Sequence, residues 1–295
     1  MKIISLLFLS LLLVGVPAAA DQPPPITHAH PALWHVKGKL GDVYLFGSIH
    51  ALPTTLQWHT PRIDRAIARA DVFVFEVSNE APSLQHAAAL VAAHGLLPPG
   101  QSLRALLTPA ARADYDADIA SVGLTPEWMD NKRPWLASLF LTVAQMKQEH
   151  YQPEAGVDRA MMAAARAAGK PMRYFETIDQ QFALLAPDGD KLELSEFESG
   201  LEEFRHEKDE MTPLVDAWSK GDPSELNRLM NADLNAYPDA KKALLDDRNK
   251  RWVLQIETML LEKRTFFITA GAGHLAGPMG VPALLRRAGY RVEGP

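Results

Sequence analysis

Val43-Tyr44-Leu45-Phe46-Gly47-Ser48-Ile49-His50 and Phe266-Phe267-Ile268-Thr269-Ala270-Gly271-Ala272-Gly273-His274 carry one design at opposite ends of the chain. Each is an uncharged run of strand length that ends in Gly-x-x-His. Continuous apolar runs of this kind suit strands buried on both faces, the habit of parallel sheets. Two more runs of strand length lie between them. Val72-Phe73-Val74-Phe75 runs into Glu76, and Met172-Arg173-Tyr174-Phe175 runs into Glu176. In an open parallel sheet the carboxyl ends of the strands share one edge, and ligands bind there. His50, Glu76, Glu176 and His274 are therefore expected to converge, although they are scattered in sequence. Glycine at the turn lets the backbone bend sharply or approach a ligand where a Cβ would obstruct it.

Outward from these runs, Leu33–Val36 and Gly41–Gly47 read as a hairpin turning at Lys37-Gly38-Lys39. Thr60-Pro61 caps a helix through Ala70, because proline in the first turn lacks only an N–H that has no partner there. Strand, helix and strand to Val77 make a βαβ unit, hence a parallel pair. Residues 83–169 are helical in pattern, with Ala-rich stretches and punctuation at Pro98-Pro99-Gly100, Thr125-Pro126 and Gly169-Lys170-Pro171. Residues 177–186, 191–220 and 223–262 are helical again. A strand at 265–270, a helix at 281–288 and a strand at 290–292 follow. No internal repeat of solenoid length is present. The expected fold is α/β, a largely parallel central sheet built from both chain ends. A long helical insertion, about 83–169 and 191–262, sits within one domain covering 32–295.

Lys2, an apolar run from Ile3 to Val16, Pro17 and the small residues Ala18-x-Ala20 form a secretory signal cleaved after Ala20. The run is short of the roughly 20 residues a bilayer span takes. The expected location is the periplasm or outside the cell. Residues 21–31 read as a Pro-rich, solvated leader in which His28 and His30 are tail residues, with loose metal binding as the alternative. A net charge of −6 argues against nucleic acid as a partner. With no cysteine in the chain, any metal must be held by His, Asp or Glu. No later segment is apolar enough to span a membrane. Nothing in the sequence encodes the oligomeric state.

Two histidines and two carboxylates suit a divalent ion, while each singly also reads as a hydrogen-bonded packing residue. Glu176 has a further reading as a helix-start residue favoured by the dipole. Glu202, His206 and Glu210 are spaced four apart, but in a charge-rich helix they read as a solvated face. Arg248 and Asn249 lie in a charged helical stretch; Arg248 is either part of a solvated face or a bidentate partner for a carboxylate or oxyanion.

At these residues the sequence resembles the TraB/GumN family, which includes the Tiki proteins. The resemblance rests on Leu33-Trp34-His35-Val36 with Tyr44 to His50, Val74-Phe75-Glu76, Lys132-Arg133-Pro134-Trp135, and Glu154-Ala155-Gly156-Val157-Asp158. It continues in Phe175-Glu176-Thr177 with Gln180, Arg248-Asn249 with Trp252, and Gly271 to Gly277. Ser48 stands where threonine is expected and keeps the hydroxyl. The resemblance implies a metal-dependent hydrolase fold related to erythromycin esterase-like and ChaN-like proteins. It implies His50, His274 and Glu76 at a divalent metal (Mn, Co or Zn), and family positions at Glu176 and Arg248. The expectation is an exported metal-dependent hydrolase, with peptidases among its candidate classes, acting on a peptide or small-molecule substrate. In it Glu76 or Glu176 serves as base and Arg248 stabilises developing charge. The alternatives are a non-catalytic metal, haem or peptide binding protein of the cell envelope, and a scaffold in envelope assembly.

Overall fold

The computed structural model describes residues 27–185, 190–206, 211–234 and 237–295. The signal at 1–20 and most of the leader lie outside the described residues, as do Glu210 and the side chain of His206; Glu202 is exposed.

The chain divides into two compact units. One comprises Ser78–Tyr151 and Thr177–Glu210; the other comprises Gln22–Val77, Gln152–Glu176 and Met211–Pro295. The first is helical in all its described regular elements. Its longest inner element, Pro134–Gln148, buries ten of its fifteen residues, so it is a core helix rather than a one-sided one. Tyr115 packs edge-on against Phe197 and Trp128 against Phe140.

The second unit holds every strand among the described residues: β1 Thr27–His28, β2 Leu33–Lys37, β3 Asp42–Ser48, β4 Leu56–Gln57, β5 Val72–Phe75, β6 Met172–Tyr174, β7 Thr265–Gly271 and β8 Arg291–Glu293. Six of them form one sheet in the order β6-β5-β7-β3-β2-β8, and β1 pairs with β4. The first four of that order run parallel; β2 is antiparallel to both β3 and β8. The sheet is thus largely parallel and drawn from both chain ends, as its apolar runs require. The β2–β3 hairpin closes through Gly38 N–H donating to Gly41 O at 3.0 Å. Thr60 Oγ1 accepts from Ile63 N–H at 3.3 Å and caps the helix Pro61–Arg69.

That helix joins β3 to β5, but the two strands are not neighbours. β7 lies between them, pairing Val43 with Phe266 on one side and Phe266 with Val72 on the other. The βαβ reading is corrected to that extent. β3 and β7 are each buried at six of seven residues, and strands apolar on both faces belong at the centre of a sheet.

The period of two sorts the side chains. Val43, Leu45, Val72, Val74, Phe266 and Ile268 face one way, into a cluster with Trp252, Val253, Ile256 and Leu285. Phe46, Phe73 and Phe267 face the other way as an aromatic layer, with Phe46 5.5 Å from Trp58 and 6.3 Å from Trp218 between ring centres. Each fully buried large side chain contributes about 1.5–3 kcal/mol of transfer free energy. The two helices that supply the first cluster, Asp247–Met259 and Val281–Arg287, belong to the sheet unit, as does Val157–Ala167. Much of the stretch read as one helical insertion therefore covers the sheet.

The leader reading also needs correction at its end. Thr27 and His28 are in β1, Ala29 is buried, and His30 N–H donates to Ser219 O at 2.7 Å. Gly221, at φ 66°, presses against the His30 carbonyl where a Cβ would come within 2.7 Å. This fixes residues 27–31 against the sheet unit. His28 and His30 themselves are exposed.

Candidate functional site

All four residues expected from the strand ends come from the four parallel strands, on one edge of the sheet. Glu76 follows β5, Glu176 follows β6, His50 lies two residues past β3, and His274 lies in the short helix Ala272–Leu275 that starts at the end of β7. The would-be Cβ of Gly271 measures their convergence. That point is 3.3 Å from Glu76 Oε1, 3.7 Å from His274 Cδ2 and 3.9 Å from His50 Nε2. Glycine at 271 keeps the point clear of a side chain.

His50 is held from both sides of its chain. Trp218 Nε1–H donates to Gly47 O at 2.8 Å. Val157 N–H donates to Ile49 O at 3.0 Å, and Gly156 lies so close that a Cβ there would be 2.2 Å from His50 O. That approach brings Asp158, in the first turn of the following helix, to His50 Nδ1 at 2.6 Å. Burial alone would raise the Asp158 carboxyl, but His50 outweighs it and holds the acid below its usual range. The buried Ser48 hydroxyl is directed at Asp158 and favours the same charged form without reaching ordinary hydrogen-bond geometry. An ionised Asp158 only accepts, so Nδ1 carries the proton and Nε2 is the lone-pair nitrogen. Nε2 is the atom near Gly271.

His274 is fully buried, with Nδ1 2.6 Å from Asn249 Oδ1 and Nε2 3.0 Å from Arg248 Nη1. Arginine only donates, so Nε2 accepts and Nδ1–H donates to Asn249. Burial first, then the charges of Arg248 and His50, hold this imidazole well below the ordinary histidine range.

Arg248 is the hub. Its Nε–H and one Nη2–H donate to the two oxygens of Glu176, each at 2.8 Å. Nη2 also donates to Glu76 Oε2 at 2.8 Å, and Nη1 donates to Leu244 O and to His274, both at 3.0 Å. A guanidinium has five N–H bonds, and these five acceptors account for them. Its plane lies over Trp252, 4.9 Å from the ring centre, and Trp252 Nε1–H donates to Glu176 Oε1 at 3.1 Å. A π-helical turn at Lys242–Asp246 precedes Arg248, and turns of this kind recur at functional sites. Here Leu244, Leu245, Arg248 and Asn249 are all buried. Glu76 Oε1 accepts from Gly271 N–H at 2.7 Å; burial raises its pKa, against the pull of Arg248 and His50.

Reading Arg248 as a residue of a solvated face gives way to a fully buried one. As an oxyanion partner it would need N–H groups that are already engaged inside the cluster. Asp158 and Asn249 complete the two imidazoles, and the sequence reading gave neither a role. Asp158 follows a helix start, where an acid reads as a dipole partner. Asn249 is adjacent to Arg248, and inward-facing neighbours break the ordinary helical phase.

A metal held by His50, His274 and Glu76 would need their lone pairs turned on one point. Both Nδ1 atoms are tied to oxygens, as ligating histidines require. Arg248, however, stands on His274 Nε2 and on Glu76 Oε2. Among the described residues no group of three or more His, Asp or Glu is placed to hold an ion. In this arrangement the donors do not fit a metal.

The fold and site are those of an α/β protein with a buried His-Glu-Arg cluster at the carboxyl edge of a parallel sheet. The TraB/PrgY/gumN family model matches residues 32–294, and the chain belongs to that family. It is 23% identical over 336 residues to "Metalloprotease TIKI1" of Danio rerio, an alignment covering 95% of this chain and 66% of that protein, just under two thirds. It is 22% identical over 254 residues to "Uncharacterized protein YbaP" of Escherichia coli K12, covering 82% of this chain and 87% of that protein. No solved structure matches.

Proposed function

We propose that the chain is an exported hydrolase of ester or amide bonds in which His50 is the general base. The observation that carries this is the 2.6 Å contact between His50 Nδ1 and Asp158, which fixes the ring with Nε2 toward Gly271 and Glu76. A histidine held by a carboxylate in one tautomer is a standard proton acceptor. Water against Nε2 and Glu76 Oε1 gives its proton to Nε2 while its oxygen bonds to the substrate carbonyl carbon, and the C=O pair moves onto the carbonyl oxygen. Collapse breaks the bond to the leaving alcohol or amine, which takes the proton back from Nε2. Ser48 is buried and directed at Asp158, so water rather than serine is the nucleophile in this scheme. The name of the Danio rerio relative supports peptides as one substrate class.

The test is turnover of p-nitrophenyl acetate and of a quenched fluorescent peptide library by the purified protein. His50→Ala is expected to lower turnover by about 10²–10⁴-fold with the circular dichroism spectrum kept. Turnover indifferent to His50→Ala, or none on either class, removes the reading. Export is checked separately: protein recovered from the producing cells should begin at Asp21, and an intact Met1 on the recovered protein contradicts it.

A further inference from the structure

We propose that Arg248 takes the place of a divalent cation in this chain, so that His274, Glu76 and Glu176 are organised around a guanidinium and the site works without a bound metal. The acceptors of Arg248 are an imidazole nitrogen, two carboxylates and a backbone carbonyl, the kinds of atom that would otherwise surround a hard or borderline ion. The side chain is 0% exposed and is fixed from three directions, by the π-helical turn through Leu244 O, by Trp252 beneath it and by Glu176 gripping it bidentately. His274 Nε2 has one lone pair, which the Arg248 N–H takes up. A metal ion at this point would have to displace the Arg248 N–H groups from His274 Nε2 and from Glu76 Oε2. Asn249 and Asp158 set the tautomers that a metal would need, and the cation that meets His274 is the arginine.

The inference depends on the hydrolase reading only where activity is measured. Metal content of the full-length protein, grown with manganese, cobalt and zinc supplied, is measured by mass spectrometry. Each ion is then titrated by calorimetry into wild type, Arg248→Met and Arg248→Met/His274→Gln. The expected result is substoichiometric metal in wild type, uptake of a single ion by Arg248→Met, and loss of that uptake in the double variant. A stoichiometric ion in wild type that His274→Gln removes overturns the proposal, and so does a folded Arg248→Met that binds none of the three. If Arg248→Met does not fold, wild-type content and Arg248→Lys decide, since lysine keeps the charge and should still exclude the ion. In the activity arm, EDTA should leave hydrolysis unchanged. Hydrolysis that needs an added ion overturns the metal-free site and leaves the hydrolase reading standing. No hydrolysis under any condition removes the hydrolase reading and leaves the ion content to judge Arg248.

Discussion

The two Gly-x-x-His segments are identical in spacing and opposite in chemistry. They sit on adjacent parallel strands, but Ser48 pairs with Gly271, so the motifs are offset by one residue. Past Ser48 the chain leaves β3 without entering a helix, whereas Gly271 leads directly into the helix Ala272–Leu275. Each imidazole has Nδ1 2.6 Å from an oxygen. For His50 that oxygen belongs to a carboxylate, and the side chain retains 9% exposure. For His274 it belongs to a neutral amide, and the ring is fully buried against Arg248. A charged partner that stabilises imidazolium suits a proton acceptor, and a neutral partner opposite a guanidinium suits a fixed, uncharged one. The group across the ring, rather than the motif, decides what a histidine can do.

The largest effect that would sharpen this contrast is expected at Asp158. In Asp158→Asn the side chain keeps its shape but loses the charge that stabilises a protonated His50. On the hydrolase reading, kcat falls by about 10²–10⁴-fold while KM stays near its wild-type value. A purely structural Asp158 would instead lower the melting temperature and leave kcat of the folded fraction intact. An unchanged kcat in a folded variant would place His50 and His274 in the same class and dissolve the comparison.

Much of this was legible before the structure. The apolar runs ending at His50, Glu76 and His274 required buried parallel strands, and parallel strands bring their carboxyl ends together. Met172–Tyr174, read as buried too, is instead a half-buried outer strand that still delivers Glu176 to those ends. What could not be read was pairing across long sequence separations. β7 inserts between β3 and β5 because its two faces are both apolar, a property that ranks strands for the centre but does not order them. Asp158 reaches His50 only because Gly156 permits an approach that no local pattern reports. Arg248 lies among Asp246, Asp247, Lys250 and Arg251, a composition typical of a solvated face. The π-helical turn before it accompanies its inward position. Composition marks a helix as charged, while packing selects which charge is buried.

The smaller effect is in the pH dependence of stability, and it tests His274. His274 is held well below the ordinary value of 6.5, chiefly by burial. The unfolded chain therefore binds a proton there before the folded one does. Its stabilising contribution is fully present above about pH 6.5 and is lost as pH falls toward the folded pKa, by at most about 1.4 kcal/mol per pH unit. Glu76 acts with the opposite sign. Burial raises it above 4.5, so its contribution is present below that pH and is lost as pH rises through its folded pKa. Asp158, held below 3.8, matters only in stronger acid. His274→Gln keeps a donor toward Asn249 and an acceptor toward Arg248 while removing the titration. Urea unfolding from about pH 7.5 down to 5 should then show wild type losing stability more steeply than His274→Gln. Equal slopes would mean that His274 protonates as freely folded as unfolded. The guanidinium beside it would then fail to hold it neutral, and the contrast with His50 would rest on the carboxylate and amide partners and on exposure.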